Sequence, residues 1–119
     1  MTEEKFGVEL IIDMHNCDES LFTKELLTKY FIELCELIDM TRHGDPMFWI
    51  EYGKEPHLSG ISAVQFIRTS NIVIHTLDKL KAVYVNIFSC KDFDKTIAEE
   101  FTKQFFKAEK ITSTSVDRI

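Results

Sequence analysis

The second half of the chain contains three consecutive runs rich in valine, isoleucine and phenylalanine, and this pattern constrains the fold more than any other feature. The runs are Ile61 to Arg68, Ile72 to Thr76 and Ala82 to Ser89. Short polar breaks around Thr69-Ser70-Asn71 and Asp78-Lys79 separate them. β-branched and aromatic residues favour strands, and breaks this short favour hairpins between antiparallel neighbours. The pattern therefore predicts an antiparallel sheet.

Two other segments have the spacing of amphipathic helices. The first runs from Leu21 to Ile38, with Asp18 or Ser20 available as its N-cap. The second starts near Asp94 and runs to about Lys107. In both segments apolar residues return at intervals of three or four: Phe22, Leu26, Tyr30, Phe31, Leu34, Cys35 and Ile38 in the first, and Ile97, Ala98, Phe101 and Phe105 in the second.

Three further segments are strand candidates, Phe6 to Met14, Met47 to Tyr52 and Lys110 to Val116. The resulting order is strand, helix, several strands, helix and strand. This order predicts an α+β fold, a two-layer sandwich whose mainly antiparallel sheet carries two helices on one face. At 119 residues the chain is expected to form one domain over residues 1–119.

Charge and hydropathy exclude several kinds of partner. The net charge is -6, and the basic residues alternate with acidic ones without forming a stripe, so we expect no nucleic-acid partner. The longest apolar runs are strand-sized and nothing at the N-terminus resembles a signal peptide, so we expect no membrane association and a cytoplasmic location.

The three cysteines, Cys17, Cys35 and Cys90, form an odd set without CxxC spacing, which predicts free thiols. Cys35 falls on the apolar face of the first helix, whereas Cys90 ends a predicted strand. His15, Cys17 and Asp18 lie close together, but three donors in one turn favour capping and turn roles over a metal site. We therefore predict no metal.

Ser70 is the first candidate for covalent chemistry, because it lies where a tight connection between two strands is expected. Its hydroxyl could attack the Thr69 carbonyl, and backbone strain in the connection would favour that attack. His75, five residues further on, could move the proton, since an imidazole changes its protonation state near neutral pH. Ser62 and Cys90 add a hydroxyl and a thiol. No spacing rule links these residues, and structural roles for all of them are the alternative.

Three segments carry a resemblance to a known family. They are Gly60-Ile61-Ser62, Thr69-Ser70-Asn71-Ile72-Val73-Ile74-His75-Thr76 and Asn86-Ile87-Phe88-Ser89-Cys90-Lys91-Asp92. In this order they resemble the motifs GVSG, ESHxxIHT and DxFxCGD of the prokaryotic, pyruvoyl-dependent S-adenosylmethionine decarboxylases. The segment Phe6 to Asp18 also resembles the opening strand and CD turn of that family.

The resemblance implies a proenzyme that cleaves itself between Thr69 and Ser70 and converts Ser70 into a pyruvoyl cofactor. His75 and Ser62 would then serve processing, and Cys90 would donate a proton during decarboxylation. The pyruvoyl group would form a Schiff base with the amine of a small-molecule substrate, in polyamine (spermidine) biosynthesis. The family also implies a homodimer with its sites near the subunit contact.

Departures from the family motifs bear on the substrate. Thr69 stands in place of the motif's glutamate, Asn71 in place of its histidine, and Leu77-Asp78-Lys79 in place of WPE, which is associated with adenine stacking and ribose contacts. S-adenosylmethionine is then expected to be a poor substrate unless Trp49 or Phe48 stacks the adenine. Arginine or ornithine is one alternative, with Asp78 or Asp13 holding the distal cation. A paralogue that never cleaves and binds a ligand or partner is the other.

Overall fold

Six strands form one sheet in the computed structural model, which describes residues 4–119; the first three residues of the predicted domain lie outside it. The sheet order is β2-β3-β4-β5-β1-β6, and every neighbouring pair is antiparallel. The strands are β1 (Gly7–His15), β2 (Met47–Glu51), β3 (Gly60–Ile67), β4 (Ser70–Leu77), β5 (Ala82–Ser89) and β6 (Lys110–Arg118).

Two helices, α1 (Lys24–Leu37) and α2 (Lys95–Phe106), cover one face of this sheet. Thr23 caps α1, because its hydroxyl accepts a hydrogen bond of 3.1 Å from the Leu26 backbone. The predicted start at Leu21 was wrong, since a separate 3-10 turn, Glu19–Leu21, precedes the cap. The predicted α+β sandwich is confirmed.

Strand alternation divides the sheet into a covered and an open face. On the covered face, buried residues of the strands pack against both helices: Leu10, Ile12, Met14, Ile61, Ala63, Ile72, Ile74, Val83, Val85 and Ile87. The open face carries apolar side chains that no helix covers, among them Met47, Trp49, Val64, Phe66, Val73, Tyr84 and Phe88. Trp49 is 70% exposed.

The connection at Ser70 differs from the prediction. The turn consists of Arg68 and Thr69, and Ser70 is the first residue of β4, paired with Ile67 in β3 and with Ser89 in β5. Within residues 4–119, the positive φ angles outside glycine lie at Asn16, Asp39, Lys81 and Lys107. Left-handed backbone strain therefore does not act at Thr69 or Ser70.

Neither α1 nor α2 has the length and apolar character that crossing a membrane requires.

Candidate active site

The predicted cleavage point lies at one end of the sheet, where the β3–β4 turn meets the end of β5. The Thr69 carbonyl oxygen accepts a hydrogen bond of 3.0 Å from the backbone N–H of Cys90. Ser70 follows directly and is half-buried. The Thr69–Ser70 peptide and Cys90 are thus brought together although Ser70 and Cys90 are twenty positions apart in the chain.

This contact has a chemical consequence. If the Ser70 hydroxyl attacks the Thr69 carbonyl carbon, negative charge develops on the carbonyl oxygen. The Cys90 N–H already points at that oxygen, and a backbone N–H so placed stabilises such a charge as an oxyanion hole does. An acyl shift at the Thr69–Ser70 peptide would therefore have one donor already in place for the developing charge.

Close approach of β1 helps to place the Cys90 segment. A Cβ atom added to Gly7 would lie 2.3 Å from the Ser89 carbonyl oxygen and 2.7 Å from the Cys90 Cα. Only glycine fits against this backbone. Any larger residue at position 7 would displace the backbone that carries the N–H bonded to Thr69.

The Cys90 side chain is exposed, whereas Cys17 and Cys35 are buried and all three are free. Burial raises the pKa of both the Cys17 and Cys35 thiols to about 11. Since the thiolate is the reactive form, these two groups are protected twice, by lack of access and by protonation. Cys90 is the cysteine that is placed to react with a small molecule.

Thiol labelling tests this difference. We expect iodoacetamide at pH 8 to add one group to the native protein, at Cys90, and three after unfolding in denaturant. The Cys90→Ser variant should lack the native adduct, which identifies its position. Adducts forming on Cys17 or Cys35 as quickly as on Cys90 would contradict the assignment.

Ser62 and His75 form a second pair, on the open face. They are register partners in β3 and β4, and the Ser62 Oγ lies 2.8 Å from the His75 Nδ1. A cavity of about 400 Å³ opens beside them, lined also by Trp49, Glu51 and Tyr84. A hydroxyl bonded to an imidazole in an aromatic-lined cavity can move protons to or from a bound molecule.

The two pairs are not brought together within one copy of the chain. Ser70 and His75 lie on the same strand, five residues apart, so about 17 Å of backbone separates them. An odd spacing also places their side chains on opposite faces of the sheet. The structure thus places the Thr69–Ser70 peptide against the Cys90 backbone, and Ser62 against His75, as two half-sites.

The two aromatic residues proposed for adenine stacking have different surroundings. Phe48 lies on the covered face, packs partly buried against the core, and has the Lys24 ammonium 5.4 Å from its ring centre. Trp49 lies on the open face in the cavity beside His75. Trp49 is therefore the residue with a free ring face.

Other predicted residues lie outside both half-sites. Asp78 accepts a hydrogen bond of 2.9 Å from Ser59 and does not line the cavity, and neither does Asp13. Glu51 is the carboxylate that lines the cavity.

Asp18 caps the 3-10 turn before α1 by accepting hydrogen bonds from Ser20, and these bonds lower the pKa of its carboxyl group. In the described part of the chain no cluster of three potential metal ligands occurs.

Sequence reasoning missed Glu51, Tyr84 and Ser89. Tyr84 is the register partner of His75, and Ser89 is that of Ser70. The signal available in the sequence was strand alternation: once β4 and β5 are assigned, their pairing follows from the hairpin between them. Glu51 is not found in this way, because the connection between β2 and its partner β3, residues 52–59, is too long to fix their register.

The chain is similar over nearly its whole length to known proteins. A family model described as S-adenosylmethionine decarboxylase matches residues 8–119. The chain belongs to the S-adenosylmethionine decarboxylase family. Two proteins named S-adenosylmethionine decarboxylase proenzyme, from Caldicellulosiruptor saccharolyticus and Caldicellulosiruptor bescii, are each 29% identical over 115 residues, covering 94% of this chain and 87% of theirs.

The fold of this family member also matches a solved structure. The adenosylmethionine decarboxylase of Aquifex aeolicus superposes with a TM-score of 0.82, over 98% of this chain and 92% of that one, at 16% sequence identity. At that identity the match concerns the fold. Membership in an S-adenosylmethionine decarboxylase family implies a decarboxylase that acts on a small-molecule substrate.

Proposed function

We propose that this chain is a self-processing, pyruvoyl-dependent S-adenosylmethionine decarboxylase that serves polyamine (spermidine) biosynthesis. One observation supports it above the others: the Thr69 carbonyl accepts a hydrogen bond from the Cys90 N–H, directly before the half-buried Ser70. A serine, a hydrogen-bonded carbonyl and an exposed cysteine thus lie at one end of the sheet.

Self-cleavage would proceed in two stages. The Ser70 oxygen attacks the Thr69 carbonyl carbon, the peptide C–N bond breaks, and the nitrogen takes up the proton, which leaves Thr69 esterified to Ser70. A base then removes the Cα proton of residue 70, and the bond between Cβ and the ester oxygen breaks. Thr69 leaves as a carboxylate and residue 70 becomes dehydroalanine. Water converts this residue to pyruvoyl with release of ammonia.

Ser70 would be the precursor of this cofactor, since it is half-buried and follows the peptide carbonyl that Cys90 holds. The pyruvoyl group, once formed, supplies an acceptor for the electrons left when carbon dioxide departs. The Cys90 thiol would then hold the proton that replaces the lost carboxylate. Cys90 therefore acts twice: its backbone N–H in processing, and its side chain in decarboxylation.

A homodimer would unite the two half-sites. His75 lies on the open face, about 17 Å along the strand from Ser70, so it cannot touch the Ser70 of its own copy. The open face carries exposed apolar residues, including Trp49, Phe66 and Met47, that a second copy would cover. A two-fold interface here would bring His75 and Ser62 of one copy toward the end of the other copy's sheet, where the Thr69–Ser70 peptide and Cys90 lie.

The substrate assignment rests on the cavity beside His75. The absence of WPE removes an aromatic platform, but Trp49 supplies another in the same cavity as Ser62 and His75. An indole ring stacks well on a purine. Asp78 and Asp13 do not line this cavity, and its carboxylate, Glu51, could face either a sulfonium or the cation of a basic amino acid. The Trp49 ring therefore decides the assignment, and S-adenosylmethionine is the substrate that we propose.

Substitution of Trp49 tests the platform. We expect Trp49→Ala to lower kcat/KM for S-adenosylmethionine about ten- to hundredfold, because loss of base stacking costs about 1–3 kcal/mol. Tyr52→Ala is the matched control, since Tyr52 is 65% exposed, follows the same strand and does not line the cavity. Equal activities of the two variants would remove Trp49 from the substrate site.

Carbon dioxide release from S-adenosylmethionine, arginine and ornithine in turn tests the activity itself. We expect release from S-adenosylmethionine, and its loss when phenylhydrazine blocks the pyruvoyl carbonyl. Release from arginine or ornithine instead would assign a basic amino acid as substrate. An intact chain without any release would identify a paralogue that binds and does not catalyse.

A further inference from the structure

A chain of hydrogen bonds holds the side chain of Thr69, the residue on the N-terminal side of the predicted cleavage point. The Lys91 backbone N–H donates to the Ser89 Oγ at 3.0 Å. The Ser89 hydroxyl donates to the Thr69 Oγ1 at 2.8 Å, and the Thr69 hydroxyl donates to the Met40 Sδ at 3.4 Å. Each hydroxyl thus has a partner on both sides, an arrangement in which hydrogen bonds strengthen one another.

Ser89 is a fully buried polar residue, at 0% exposure. A buried hydroxyl is costly unless it is bonded, so its contact with Thr69 is maintained rather than exchanged with water. Ser89 is also the register partner of Ser70. Its backbone therefore lies beside the second residue of the scissile peptide while its side chain holds the first.

Thr69 is consequently fixed at two points. Its carbonyl oxygen is held by the Cys90 N–H at 3.0 Å, and its side chain is held by the preceding residue of β5, Ser89, at 2.8 Å. Two attachments to adjacent residues restrict rotation of the peptide plane between Thr69 and Ser70. Without the hydrogen bond from Ser89, the peptide plane could tilt and the hydrogen bond between the Cys90 N–H and the Thr69 carbonyl oxygen could lengthen.

We propose that Ser89 is a positioning residue for self-cleavage. Its hydroxyl holds the Thr69 side chain, so that the Thr69 carbonyl keeps its hydrogen bond from the Cys90 N–H when Ser70 attacks. This inference rests on the proposed self-cleavage. It also gives a role to Thr69, which stands where the family motif has glutamate: a short side chain with a hydroxyl suits the buried Ser89.

The test follows cleavage in time. Wild-type chain, Ser89→Ala, Thr69→Val, the double variant and Ser89→Thr are made by cell-free synthesis, and the conversion of full-length chain into two fragments is measured by intact mass. We expect Ser89→Ala and Thr69→Val each to slow cleavage about ten- to hundredfold, since small misplacements of reacting atoms have effects of this size. The double variant should be no slower than the slower single variant, and Ser89→Thr should restore the rate.

Thr102→Val is the matched control. Thr102 is also fully buried, and its hydroxyl lies 2.8 Å from the Tyr30 hydroxyl between α1 and α2, away from the cleavage point. We expect it to lower Tm while leaving the cleavage rate of the folded chain unchanged. If Thr69→Val and Ser89→Ala behave like this control, or if their effects multiply in the double variant, the positioning role is wrong while self-cleavage stands. A wild-type chain that never cleaves would overturn both.

Discussion

The Ser70→Ala variant should remain a single intact chain and release no carbon dioxide from S-adenosylmethionine. The physical reason is that alanine lacks the oxygen that attacks the Thr69 carbonyl, so that neither the ester nor the pyruvoyl group can form. The effect is expected to be complete. Alanine is smaller than serine and fits the first position of β4, so the fold should be retained, with a circular dichroism spectrum and a Tm close to those of uncleaved wild-type chain.

A matched substitution guards against a general effect of losing a serine. Ser115 lies in β6, is exposed, and is remote from the Thr69–Ser70 peptide. Ser115→Ala should therefore cleave and decarboxylate like the wild-type protein. Fragments from Ser70→Ala with the wild-type masses would show that another residue initiates cleavage.

Two inactive variants should complement each other when they are mixed in one dimer. His75→Ala alone is expected to cleave about 10²- to 10⁴-fold more slowly, the usual contribution of a positioned acid or base. When His75→Ala and Ser70→Ala are co-expressed with different tags, a mixed dimer contains one complete site, with Ser70 from the first variant and His75 from the second. Cleavage should return, and only in the His75→Ala copy.

The mass of each tagged fragment identifies which copy has been cut. No cleavage in mixed dimers, with light scattering showing that they form, would mean that the half-sites do not combine across the open face. A monomer at micromolar concentration would contradict the interface itself. Cleavage of His75→Ala alone at the wild-type rate would remove His75 from processing.

Much of the fold could be predicted from residue patterns. β5 was predicted with its observed bounds, and the other strands and α2 to within two residues, because strongly β-branched runs and a well-capped helix have unambiguous periods. The start of α1 was misplaced because Asp18 and Thr23 are both good N-caps. Asp18 caps the short 3-10 turn and Thr23 caps α1, and the residue types alone do not show that the helix is interrupted between them. The predicted break, Thr69 to Asn71, starts one residue and ends two residues after the observed turn, because the polar residues that begin β4 resemble turn residues.

The candidate site was predictable in part. The residue types and motif order pointed to Ser70, His75, Cys90 and Ser62, but not to their division into two half-sites. That division follows from β-strand geometry: an odd spacing along one strand sends Ser70 and His75 to opposite faces. The roles of Trp49 and Ser89 depend on register and burial, which no single segment of sequence contains.

The central claim, that this chain makes its own cofactor by breaking the Thr69–Ser70 peptide bond, is tested most directly by the intact mass of the purified protein. We expect two fragments, one ending at Thr69 and one beginning at a residue 70 that has become a pyruvoyl group and reacts with phenylhydrazine. A single species with the mass of the uncut chain, persisting after prolonged incubation of the folded protein, would contradict the claim.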